Sequence, residues 1–280
     1  MTKYLQGQVP TEEQLRDWSD FFHGYGFLVI KNVLNPKLCE QLRKDLEQDI
    51  EQNPEAIKNG TIRFSNRMFE RSQANLKLFD LEPIVTFAEY LIGESNGRGL
   101  PTNIGIPNSN EVHVIHNNSF IVTPHSEGLA QSSWHQDDSP HLLSLDGKPI
   151  TNVRLNVMNF TVNYYLTDVL AVENGPTQVI PGSHLFGKFC PSQIHGYESY
   201  VYSCLAPMGS AVCFNSQVWH RGAPNNSDIA RYITQITYAK RLVGHKYYPF
   251  MNYQMPEHCY NTANPRLKRL LGFLSHGAYG

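Results

Sequence analysis

Residues 157–166 sort onto two faces. Met158, Phe160, Val162, Tyr164 and Leu166 fall on one, and Asn159, Thr161, Asn163 and Tyr165 on the other. Period-two alternation of this kind specifies a β-strand. The aromatic-rich face demands burial against another layer. The polar face either meets water, as in a half-buried strand, or lines a polar cavity between two layers. Other strand-like runs follow the same stretch of chain: Thr177 onward, Gly209–Phe214 and Arg231–Tyr238. The chain is β-rich from about residue 111 to 240.

The N-terminal third reads differently. Thr11 and Gln14 have capping-box spacing ahead of Leu15, Trp18, Phe21 and Phe22, and Gly24 and Gly26 end that helix. Phe27–Val33 is strand-like. Asn35-Pro36 caps a second helix with a stripe of Leu38, Leu42, Leu46 and Ile50. Residues 53–79 look polar and irregular. Arg63, Arg67 and Arg71 recur every four residues, which on a helix gives one basic face. A further helix is expected from Pro83 to Ile92, then a Gly-, Asn- and Pro-rich loop over 94–110 that borders the site. Residues 185–204 read as a long excursion, a candidate lid. The tail beyond 241, with Tyr247, Tyr248, Phe250 and Tyr253, is expected to wrap the β core, and Leu267–Leu274 to form a short helix.

With 280 residues the chain is long enough to bury a large core without covalent staples. The expectation is one domain over 1–280: a helical buttress at about 11–93, a β core at about 111–240 and a wrapping tail at 241–280. A net charge of −2 argues against nucleic acid as a partner. The five cysteines are odd in number and lack a C-x-x-C spacing, so they read as reduced thiols. No signal core or apolar run of spanning length occurs, so the expected location is cytoplasmic, with no membrane. Oligomeric state is not encoded in any feature of the sequence.

Trp134-His135-Gln136-Asp137 carries the chemistry. In an extended segment side chains two apart point the same way, so His135 and Asp137 can meet one ion while Gln136 turns away. His220, in Trp219-His220-Arg221-Gly222, supplies a second imidazole. Two histidines and one carboxylate make a facial triad suited to non-haem Fe(II). Asp138 falls on the opposite side and is not chosen. Beyond His220 the run 222–228 is turn-like. A hairpin there would return Arg231 beside His220, and its guanidinium suits a carboxylate.

These residues, with Asn174-Gly-Pro-Thr-Gln-Val-Ile-Pro-Gly-Ser-His184 between them and Tyr25–Ile30 upstream, resemble the phytanoyl-CoA dioxygenase family. The resemblance runs from residue 25 to about 240. It implies a double-stranded β-helix (jelly-roll, cupin-like) core, mainly β with flanking helices. It implies an Fe(2+)- and 2-oxoglutarate-dependent oxygenase, with His135, Asp137 and His220 on iron. Arg231, Thr177 and Asn163 would then hold 2-oxoglutarate, which is converted with O2 to succinate and CO2. Asn118, His116, Tyr165, Arg63 and Arg67 are candidate contacts to a small-molecule substrate. His184 reads as structural. The polar face of 157–166 then points inward. Related halogenases lack the carboxylate, so Asp137 favours hydroxylation, desaturation or oxidative demethylation over chlorination. The expected substrate is a small polar metabolite or natural-product intermediate. The alternatives are an acyl-CoA 2-hydroxylase of the same family, a metal-dependent cupin enzyme without 2-oxoglutarate, and a binding module that has lost the chemistry.

Overall fold

Thr11 caps the first helix as its spacing from Gln14 requires. Its hydroxyl accepts the Gln14 N–H at 3.2 Å, and the Gln14 side chain accepts the Thr11 N–H at 2.9 Å. Helix α1 runs Glu12–Tyr25 and ends at Gly26. Helix α2 (Pro36–Gln52) starts at Asn35, whose side chain accepts the Leu38 N–H at 2.9 Å. Three further helices are α3 (Gln73–Leu78), α4 (Ile84–Glu94) and α5 (Pro265–Leu270). The computed structural model describes residues 3–59, 62–94, 112–127, 133–137, 140–247 and 252–274. The loop expected over 94–110 and the aromatics Tyr248 and Phe250 lie outside these residues, apart from the end of α4.

The described strands form two antiparallel sheets. They are β1 (Phe27–Ile30), β2 (Ile57–Asn59), β3 (Ile62–Asn66), β4 (Val112–Val122), β5 (Asn159–Tyr165), β6 (Thr177–Val179), β7 (Tyr202–Ser203), β8 (Ala211–Asn215), β9 (His220–Gly222) and β10 (Arg231–Lys240). The large sheet has the order β1-β8-β5-β10-β4-β3-β2 and the small one β7-β6-β9. Two facing antiparallel sheets with this crossing order are the expected jelly roll.

Register assigns the faces. On β10, Ile233, Gln235 and Thr237 stand opposite Tyr165, Asn163 and Thr161 of β5. On the other side they stand opposite Phe120, Asn118 and His116 of β4. The polar face of β5 therefore points between the sheets. Its apolar face points to the helices, where Phe160 meets Phe22 at 5.6 Å, Phe87 at 5.9 Å and Tyr238 at 5.7 Å between ring centroids. Burying a Phe side chain contributes about 1.5–3 kcal/mol, so this layer anchors the sheet. A second apolar cluster, including Phe27, Phe120, Val179, Val212, Phe214 and Ile233, joins the two sheets.

Two sequence expectations need correction. Residues 53–79 are not irregular, because β2 and β3 pair as a hairpin that lengthens the large sheet. Arg63, Arg67 and Arg71 consequently share no helix. The excursion 185–204 is packed down. Phe186, Ile194, Tyr197 and Val201 pack on Trp134, Ile180 and Trp219. The tail packs on the β core, as expected, and on the helices too: Tyr247, Leu270 and Leu271 share a cluster with Val112 and Val114 of β4, Arg266 bonds Glu82 at 2.7 Å and Glu89 at 2.5 Å, and the Tyr253 hydroxyl donates to Glu70 at 2.5 Å. No helix among the described residues is long and apolar enough to cross a membrane.

Gly209 precedes β8 with φ +84°, and a Cβ there would sit 2.2 Å from the Leu34 carbonyl oxygen. Gly196 has φ +85° but open space around it. Left-handed backbone costs an L-residue about 1–2 kcal/mol. Gly196→Ala should therefore lose about 1 kcal/mol. Gly209→Ala, which adds a backbone clash, should lose at least about 3 kcal/mol. Denaturant unfolding of the two variants checks the difference, and equal losses would contradict it.

Candidate metal centre

Residues 133–137 complete the free edge of the small sheet. His135 and His220 face each other as a β-bridge, each N–H donating to the other's carbonyl at 3.0 Å. Two residues on, the Asp137 N–H reaches the Ser216 carbonyl at 2.9 Å. This extended path sends His135 and Asp137 to one side and Gln136 to the other. The Gln136 amide donates to the Gln217 carbonyl at 2.7 Å and accepts the Cys190 N–H at 2.9 Å. The ligating atoms of His135, Asp137 and His220 all lie within 4.8 Å of one another.

Both imidazoles are held in one tautomer. Nδ1 of His135 lies 2.9 Å from the Ser133 carbonyl, and Nδ1 of His220 lies 2.9 Å from the Val218 carbonyl. A carbonyl can only accept, so each Nδ1 donates and each Nε2 keeps its lone pair for a cation. Burial acts to raise the Asp137 pKa. In the metal-free site the positive potential of His220, Lys246 and His135 around it outweighs burial and holds it at about 2. Burial and the charge of His220 lower the His135 pKa. An ionised carboxylate and a neutral imidazole are the protonation states that a divalent metal takes. From the large sheet, the Thr161 hydroxyl reaches Asp137 Oδ2 at 3.5 Å and Thr237 at 3.0 Å.

Arg231 is reached by a different route from the expected hairpin. β9 and β10 belong to different sheets, and the chain between them crosses the gap. Arg231 arrives over Gly222, whose missing side chain leaves room: a Cβ there would be 3.3 Å from Nη2. The guanidinium is 3% exposed, and neither Nε nor Nη1 has a hydrogen-bond partner. Among the described residues no carboxylate pairs with it. Burial pulls its pKa down to about 10.

Thr177 stands opposite Gly222 in the small sheet. Its hydroxyl accepts the Asn163 amide at 3.1 Å, and Asn163 in turn accepts the Gln235 amide at 2.9 Å. His116 and Asn118 lie on the same inner face. Tyr165 does not present a free hydroxyl, as expected of a substrate contact. The group accepts the Thr177 N–H at 2.9 Å and donates to the Cys204 carbonyl at 3.1 Å. Arg63 stands opposite Ile121 on the face away from the site and is exposed. Arg67 pairs with Glu55 at 2.9 Å and stacks over Tyr253. His184 is structural, with Nε2 3.0 Å from the His23 carbonyl. Sequence reasoning missed Thr161, Thr237 and Gln235, although the β5 alternation already placed Thr161 beside Asn163. Asp138 lies outside the described residues.

The family model for phytanoyl-CoA dioxygenases matches residues 22–233. The chain belongs to the phytanoyl-CoA dioxygenase family. As a member it is a non-haem iron, 2-oxoglutarate-dependent dioxygenase. Solved structures with the same fold include HygX from Streptomyces hygroscopicus with nickel and 2-oxoglutarate bound. It is 15% identical over 89% of this chain and 96% of that one, with a TM-score of 0.60. The epimerase SnoN in complex with Fe3+, alpha ketoglutarate and nogalamycin RO is 15% identical over 88% of this chain and 94% of that one, with a TM-score of 0.60. The carbocyclase SnoK from nogalamycin biosynthesis is 17% identical over 86% of this chain and 88% of that one, with a TM-score of 0.59. In this family member the residue types fit the metal: two imidazoles and one carboxylate are hard-to-borderline donors suited to Fe(II).

Thr161→Val keeps the shape of the side chain and removes its hydrogen bond to Asp137. Losing a hydrogen bond to a metal-binding carboxylate typically costs 10–100-fold in affinity, and this contact is long. Titration of the variant with Mn(II) should show about 10-fold weaker binding with an unchanged melting temperature.

Proposed function

We propose that the protein oxidises a small polar metabolite or natural-product intermediate by hydroxylation, desaturation or oxidative dealkylation, with 2-oxoglutarate and O2 as co-substrates. His135, Asp137 and His220 hold iron in this reading. Iron there supplies the redox chemistry that couples decarboxylation of 2-oxoglutarate to substrate oxidation.

The observation that carries the co-substrate assignment is the unpaired Arg231 guanidinium. A buried, uncompensated charge is costly. The depression of its pKa corresponds to roughly 3 kcal/mol. Neutral pH lies below both the ordinary and the lowered pKa, so the group stays charged and the cost persists there. An anion that enters removes the cost. Arg231 binds the far carboxylate of 2-oxoglutarate, the Thr177 hydroxyl donates to it, and Asn163 orients Thr177. A metal-dependent cupin enzyme without 2-oxoglutarate leaves Arg231 with no anion to meet.

HygX, SnoN and SnoK are similar in fold, and the structures of all three name a natural product, hygromycin B or nogalamycin, which supports a small tailored molecule as substrate. The free cysteines suit a reducing, cytoplasmic setting.

A hydrogen bond to a charged group contributes about 1.5–3 kcal/mol. Arg231→Leu should therefore weaken 2-oxoglutarate binding ~10- to 200-fold while Mn(II) affinity holds. The melting temperature of the wild type should rise with 2-oxoglutarate, and that of Arg231→Leu should not. His135→Ala and Asp137→Ala should lose stoichiometric metal binding in calorimetry. Succinate formation from 2-oxoglutarate with Fe(II) and O2 is the direct assay. Wild type that binds metal but forms no succinate from 2-oxoglutarate would sink the reading.

A further inference from the structure

Asn163 and Asn159 share the inner face of β5, yet their surroundings differ. The Asn163 amide donates to Thr177 at 3.1 Å and accepts from Gln235 at 2.9 Å. Asn159 is 2% exposed, and neither its amide nitrogen nor its amide oxygen has a hydrogen-bond partner. The neighbour on β10 makes the difference. Asn163 stands opposite Gln235, whereas Asn159 stands opposite Ala239, which has no polar side-chain atom to offer. Buried side-chain polar atoms are nearly always hydrogen-bonded, and leaving them unpaired is costly. An amide buried with both ends open is a position held for something else.

A second open group stands beside it. On β8, Phe214 is opposite Thr161 and Asn215 is opposite Phe160. The same register carried one residue further brings Ser216 level with Asn159. Ser216 is buried, and its hydroxyl also has no partner. Both residues border the metal centre. The Ser216 carbonyl accepts the Asp137 N–H at 2.9 Å, and Thr161 on the inner face of β5 reaches Asp137. Asn159 and Asn163 flank Thr161 on that face, each about 7 Å along the strand. The Asn163 side leads to Thr177 and, past Tyr165, to the Arg231 end of β10. Asn159 and Ser216 therefore lie across the metal edge from the co-substrate end.

The count of donors and acceptors defines what fits. An amide nitrogen only donates, an amide oxygen only accepts, and a hydroxyl does either. An anion would satisfy the Asn159 nitrogen and strand the oxygen. An ammonium would satisfy the oxygen and strand the nitrogen. A group with N–H and C=O side by side pairs with both ends of Asn159 at once. Its carbonyl has a second lone pair, to which the Ser216 hydroxyl can donate.

We propose that Asn159, with Ser216 beside it, recognises a neutral carboxamide or lactam group of the primary substrate. The proposal rests on the function assigned above, which makes this side of the metal the substrate side. Asn159 and Ser216 are binding residues here and move no proton.

The test uses full-length protein loaded with Ni(II) and saturating 2-oxoglutarate, titrated with 2-pyrrolidone and separately with cyclopentanone and followed by ligand-observed NMR. The two rings share size and carbonyl, and only the lactam carries an N–H. The wild type should bind 2-pyrrolidone at least about 10-fold more tightly, because the ketone leaves the Asn159 oxygen unpaired. Asn159→Leu, of similar volume, should weaken 2-pyrrolidone by about 10-fold or more and abolish the preference for the lactam. Ser216→Ala should weaken both rings by about three-fold or more, since its contact is to the carbonyl they share. The lactam preference of the wild type and the Ser216→Ala titrations decide the matter even where Asn159→Leu does not fold. A lower melting temperature of Asn159→Leu with unchanged affinity marks a structural role and overturns the proposal. No lactam binding, or no lactam preference, in a wild type that binds 2-oxoglutarate also overturns it. Failure of the wild type to bind 2-oxoglutarate strikes the assigned function instead. The same titrations on the Ni(II)-loaded protein alone still decide the role of Asn159.

Discussion

Two backbone hydrogen bonds, exchanged between His135 and His220 at 3.0 Å, decide where everything else in the site stands. They set the separation of the two imidazoles before any side chain is considered. Because side chains alternate along an extended segment, a slip of one residue would present Gln136 in place of both His135 and Asp137. The register is guarded from behind. Gln136 is tied to Gln217 and Cys190, and Trp134 and Trp219 are buried in one aromatic cluster. The 185–204 excursion contributes most of that cluster. Its work is to hold the edge segment in register, which explains why it is packed down rather than open.

The opposite layer works by withholding partners. Arg231 reaches the interior because Gly222 leaves it room, and it finds no anion there. The fold tolerates this because the surrounding polar groups are otherwise satisfied. Asn163, Gln235, Thr177 and Tyr165 bond one another or backbone carbonyls. An unsatisfied cation beside satisfied neighbours is a demand for an anion.

Much of this was legible in the sequence, for identifiable reasons. His135, Asp137 and His220 were readable because period two fixes side-chain direction and the residue types fix the metal. The helix caps at Thr11 and Asn35 were readable because capping is local. Arg231 was placed correctly near the centre but by the wrong path. A turn-rich linker does not say whether it joins strands of one sheet or crosses between two. Arg63 and Tyr165 were misread because a strand's neighbours, not its own residues, decide which face looks inward and which hydroxyl is already taken. Residues 53–79 were misread because β2 and β3 are too short to show a period.

The alternation along β5 divides stability from function at the resolution of single residues. Phe160 and Thr161 are neighbours, both buried to within 1% exposure. Phe160 faces the helices and three aromatic rings, so its loss would cost the fold. Thr161 faces the metal centre and touches Asp137, so its loss spares the packing. The same holds for Tyr164 and Asn163. Residues on the helix side are bound by volume, because interiors are close-packed. Residues on the inner side are bound by hydrogen-bond geometry, which other polar side chains can meet in other ways.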